Sequence, residues 1–84
     1  MTDYLKTIKE AVIGGKHGEI KWLVQHALDA GPDPGAIVND ALIAAMDVVG
    51  KDFGSGKIFV PEMLVSAVTM KAGLETVKPR LAGG

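Results

Sequence analysis

An 84-residue chain has room for one domain with a modest core, and 48% hydrophobic with 23% charged residues is a folded composition. A formal net charge of −1, with the nine Lys and Arg scattered along the chain, excludes a phosphate-binding stripe and so a nucleic-acid partner. The lack of cysteine excludes disulfides, thiolate nucleophiles, iron–sulfur clusters and thiolate zinc sites.

The start, MTDYLKTIKE, is amphipathic and has no apolar signal-peptide core. The longest apolar run, ALIAAM at residues 41–46, falls far short of the ~20 residues that span a bilayer. The expectation is a soluble, cytoplasmic domain without a membrane partner.

Helical periodicity appears in four segments. The first runs from about Asp3 to Ile13, with Tyr4, Leu5, Ile8, Ala11 and Val12 on one side, Thr2 as N-cap and Gly14-Gly15 as the stop. The second runs from about Gly18 to Ala30, where Ile20, Leu23, Val24, Ala27 and Leu28 form the clearest amphipathic stripe before Gly31-Pro32. The third starts at Asp33-Pro34, a capping carboxylate followed by proline in the first helical position. It is apolar most of the way round and is expected to be the central, most buried helix. The fourth starts at Pro61, with Glu62 favouring its N-terminus. Met63, Ala67, Met70, Leu74, Val77 and Leu81 then form a heptad-like seam, and Pro79 ends or kinks the helix near Lys78. Leu81 to Gly84 reads as a frayed tail or the start of a linker. No strand pattern competes, so the fold class is all-α, a four-helix bundle with short connections.

Catalytic constellations do not assemble. His17 and His26 lack the i, i+4 spacing that sets two ligands on one helix face, so both read as surface histidines and no metal ligand is assigned. Asp47, Asp52 and Glu62 lie near one loop but share no helix face, and read as solvated charges. Gly50 to Lys57 has the wrong spacing for a phosphate loop, and Ile58 stands where Ser or Thr is required. No nucleophile, base and orienting group can be named, so the chain is not expected to be an enzyme on its own.

The unusual stretch is VGKDFGSGKIFVPEML, residues 49–64, which puts both phenylalanines beside three glycines. Gly54 and Gly56 tolerate positive φ, so the third helix can end sharply there. In one reading Phe53 and Phe59 fold back to plug the bundle end while Val60 and Met63 staple the fourth helix. In the other, some of these residues point outward as an apolar lid for a flat ligand or a partner. Residue chemistry alone leaves both open.

The run MDVVGKDFGSGKIFVPEMLVSAVTMK, residues 46–71, closely resembles the N-terminal helical domain of corrinoid (cobalamin-binding) methyltransferase proteins. The resemblance covers essentially the whole chain, residues 1–84, as a single cap domain. It implies a bundle lying over the upper corrin face, where cobalt carries the methyl group. Phe53 would be the methyl-shielding aromatic, with Val60 and Met63 as further apolar contacts. Gly54, Gly56 and Pro61 would shape the turn, and Phe59 would point inward to anchor the loop. The implied role is to shield methyl-cobalamin and to gate access to cobalt, moving aside for a partner methyltransferase.

The family's Asp-x-His-x-x-Gly motif, whose histidine ligates cobalt from an α/β domain, does not occur here. Cobalamin is therefore expected only together with a separate cobalamin-binding domain or subunit, not bound tightly by this chain alone. The alternative function is an interaction module whose apolar end and fourth-helix seam pair in a homodimer.

Overall fold

The computed structural model describes residues 3–82, and these form four helices with no strand among them. Helix α1 spans Tyr4–Ile13. Its N-cap is Asp3, whose carboxylate accepts the Lys6 backbone N–H at 3.0 Å; Thr2, the expected cap, lies outside the described residues. Gly14 closes the helix, and Gly15 turns the chain with φ +69. That turn needs glycine twice over, because a Cβ on Gly15 would also lie 2.7 Å from Val65 Cγ1.

Helix α2 spans Ile20–Ala30, two residues shorter at its start than the periodicity suggested, since Gly18 and Glu19 belong to the turn. Helix α3 is continuous through three consecutive segments: Pro34–Ala36, a π-helical segment Ile37–Ile43, and Ala44–Gly54. Pro34 holds the first position, but the Asp33 carboxylate caps nothing. Its main-chain carbonyl instead accepts the N–H groups of Ala36 and Ile37 at 2.9 and 3.1 Å. Helix α4 spans Val60–Ala82 and continues through Pro79 rather than ending near Lys78. In the last turn a proline forfeits a single backbone bond, and Arg80 ties that turn to Asp29 of α2 at 3.3 Å. Gly83 and Gly84 lie outside the described residues.

The core joins all four helices. Ile8, Ala11 and Val12 of α1 meet Ile20, Val24, Ala27 and Leu28 of α2, Ile37, Ala41, Leu42 and Ala45 of α3, and Val77 of α4. Each fully buried Ile, Leu or Val contributes about 1.5–3 kcal/mol relative to exposure. Helix α3 buries one face, as expected of a central helix, yet Ile43 on its other side is 53% exposed.

The seam expected on α4 is rotated. Of its members only Val77 is buried; Met63, Ala67, Met70 and Leu74 are half-buried and Leu81 is exposed. The buried row is Ser66, Thr69, Gly73 and Val77, small side chains that let α4 approach α2 and α3 closely. The hydroxyls in that row are satisfied by carbonyls, Ser66 donating to Ile13 and Thr69 to Val65.

Candidate functional site

The end of the bundle where α3 gives way to α4 collects the singular residues. Helix α3 runs to Gly54, so Phe53 sits in its last turn. Gly54 keeps helical geometry, and Gly56 alone supplies the positive φ, +83. The loop is drawn tight by one acceptor: the Asp52 carbonyl takes the Lys57 N–H at 2.9 Å, the Ile58 N–H at 3.4 Å and the Ser55 hydroxyl at 3.2 Å. At the start of α4 the Glu62 carboxylate accepts the Phe59 N–H at 3.1 Å, while the Phe59 carbonyl accepts the N–H groups of Glu62 and Met63. This is the return half of a capping box, and it fixes where α4 begins.

Two of the three carboxylates near the loop have local partners, and at Asp52 it is the main chain that is engaged. Glu62 caps α4, Asp52 lies where its carbonyl closes the loop, and Asp47 pairs with Lys51 at 3.4 Å on the solvated face of α3. His17 and His26 are both exposed, and His26 stacks against Trp22 with ring centroids 4.2 Å apart. Among the described residues no group of three or more His, Asp or Glu side chains comes together.

With the backbone pinned in this way, the apolar side chains face outward. Phe53 is 39% exposed and Val60 48%, and Met63 is half-buried one turn further along. Pro61 is exposed in the first turn of α4. Phe59 was expected inward and is 70% exposed. Its N–H and carbonyl are engaged by the cap, which turns the ring away from the core.

The rim extends further than the loop sequence indicated. Leu64, Val65 and Val68 continue it along the outer face of α4, all exposed. The spacing 60, 64, 65, 68 is itself a helical stripe, hidden in the sequence by the competing heptad-like row that begins at Met63. Two apolar hollows flank it. One, of about 370 Å³, lies between the Ile13–Gly15 turn and Ile58, Pro61 and Val65; the other, of about 220 Å³, is lined by His17, Leu64, Val65 and Val68. No helix among the described residues is long and apolar enough to cross a membrane.

Fold and rim together define a small helical bundle that presents an apolar contact edge. Comparison with known proteins makes the assignment specific: the family model described as a B12 binding domain matches residues 4–78, and the chain belongs to that family. It is 39% identical to trimethylamine corrinoid protein 2 of Methanosarcina mazei over 70% of this chain and 27% of that protein. It is 35% identical to the methanol corrinoid protein of Methanosarcina barkeri over 84% of this chain and 28% of that protein. Among solved structures it is similar to the Methanosarcina barkeri monomethylamine corrinoid protein, with a TM-score of 0.89 and 26% identity over 93% of this chain and 37% of that one. The chain thus spans about a third of the length of these relatives.

Proposed function

We propose that this chain is the helical cap of a corrinoid protein in a methyl-transfer system, with Phe53, Val60 and Met63 forming the surface that lies against the upper face of the corrin. The observation that carries this reading is the outward apolar rim, held by a loop and cap whose hydrogen bonds are spent on the backbone. A planar macrocycle needs broad apolar contact, and an aromatic edge with two aliphatic neighbours offers it without a competing charge. Gly56, at positive φ, and Pro61, in the first turn of α4, shape the turn that joins these residues, while Gly54 is the last residue of α3.

When bound, the corrinoid supplies a cobalt centre able to carry a methyl group. The residues of this chain do the rest by exclusion. They keep water and stray nucleophiles from the upper face while the lid is closed, and they must withdraw for a methyltransferase to act. The cofactor would be held mainly by a separate cobalamin-binding α/β domain or subunit, because the side chains at this rim offer contact and no metal ligand.

The test uses Phe53→Ala in the chain combined with a corrinoid-binding domain loaded with methyl-cobalamin. Photolysis or oxidation of the bound cofactor should be faster in the variant; an unchanged rate removes Phe53 from the lid. A second reading, self-association through the rim, is favoured by the continuation of exposed apolar residues along α4 through Leu64 and Val68.

A further inference from the structure

Residues Ile37–Ile43 of α3 are π-helical. A π turn closes i to i+5 and so holds one residue more than the α turn it replaces; such turns are rare, and frequent at functional sites. In an α path each residue turns about 100° and rises about 1.5 Å. Relaxing the π segment to α advances every later residue by one position. Ala44 then takes the place of Ala45, Val48 that of Val49, and Asp52 that of Phe53.

The sequence after the π segment is AAMDVVG, residues 44–50, in which the two core residues are each doubled. Ala45 and Val49 are buried, and Ala44 and Val48 are half-buried. The advanced register therefore buries an identical Ala and Val. The other short helices do not share this property. The same advance in α1 would put Thr7 and Glu10 where Ile8 and Ala11 are buried, and in α2 would put Glu19 and His26 in the places of Ile20 and Ala27.

Three residues oppose the advance. Met46, packed against the core, and Val49, buried, would move into the exposed places of Asp47 and Gly50. Asp47, the third, is exposed and paired with Lys51, and it would move into the half-buried place of Val48. Exposing apolar side chains and moving a carboxylate out of water without a new partner are both unfavourable, which makes the observed register the ground state.

We infer that α3 is a two-register helix in which the π segment stores the extra residue and the register decides where Phe53 points. In the advanced register the Phe53 ring turns away by about 100° and shifts by about 1.5 Å along the helix, and Asp52 takes its place at the rim. This rests on the proposed lid only for what the motion achieves, namely the exchange of an aromatic edge for a carboxylate that opens the upper face.

The motion itself is measured without corrinoid, by ¹⁵N relaxation dispersion on the whole chain, in the μs–ms range of helix register shifts. Residues 40–54 should share one exchange process. Asp47→Val, at an exposed position, should raise the minor population several-fold. Deleting the exposed Asn39 removes the extra residue and should abolish the exchange. Flat profiles in the unaltered chain, or exchange indifferent to Asp47→Val, overturn the two-register helix. Should the deletion fail to fold, Asp47→Val decides alone. None of these outcomes bears on the photolysis comparison, so failure here and failure of the lid are told apart.

Discussion

At Gly73 the approach of α4 to its neighbours leaves almost no space. A Cβ there would lie 3.0 Å from Leu42 Cδ2, 3.2 Å from Ile20 Cγ1 and 3.5 Å from Val24 Cγ2. All three neighbours are fully buried, so none can swing into solvent to make room. Gly50, in the last segment of α3, is the control, with nothing within 4 Å of an added Cβ. Alanine favours a helix over glycine by about 1 kcal/mol at either position. Gly50→Ala should therefore stabilise the protein by about 1 kcal/mol, or about 5 °C in Tm for a domain of this size. Gly73→Ala gains the same propensity but meets an overpacking penalty of about 1–3 kcal/mol, for a net loss of roughly 1 kcal/mol. Urea denaturation followed by far-UV circular dichroism measures both, with equal m-values required for the comparison. If Gly73→Ala stabilises as much as Gly50→Ala, the small-residue row of α4 does not set the helix spacing.

Two further outcomes follow from named contacts. Ser66→Ala removes the hydroxyl that donates to the Ile13 carbonyl at 3.2 Å between α4 and α1, and should cost about 1 kcal/mol. Thr76→Ala removes only a bond to the Ala72 carbonyl within α4 and should be neutral or slightly stabilising; equal losses would refute the distinction. Sedimentation across a concentration series reads self-association: a dimer that dissociates in Leu64→Lys would support pairing through the outer face of α4, and a monomer at every concentration would exclude it.

The number of helices, their turns and most core positions of α1, α2 and α3 were legible because period and punctuation agreed. At Gly14-Gly15, Gly31-Pro32 and Asp33-Pro34 the stop and start signals stand beside apolar stripes with a polar opposite face. Helix α4 was misread because it carries two apolar rows. Methionine and leucine outweigh serine, threonine and glycine in any hydrophobic pattern, yet the small row faces the core, because close helix approach selects for size. The π segment left no trace that periodicity detects, since α3 is apolar over so much of its circumference that one register looks as good as another. At the candidate site the outward placement of Phe53 and Val60 was one of two open readings. Phe59 went the other way because its backbone became the anchor point of the Glu62 cap, which residue hydrophobicity does not register.

The exposed rim also bears on how a lid can open. Phe53, Phe59, Val60, Leu64 and Val68 are between 39% and 70% exposed. Covering a side chain that is already about half-buried gains about 1 kcal/mol, half of the usual value for complete burial. The five together gain about 5 kcal/mol, and an apolar plate covered in return gains a similar amount. Bringing two free bodies together costs about 4–15 kcal/mol. The terms are of the same size, so on the proposed reading a detached cap would bind a corrinoid weakly. Joining the two by a short flexible linker raises the effective concentration to about millimolar and lowers that cost. On the proposed reading closure is then favoured by only a few kcal/mol, small enough for a docking methyltransferase to reverse. Polar residues at these positions would leave the fold intact and remove the closed state; a much larger apolar face would hold the lid shut.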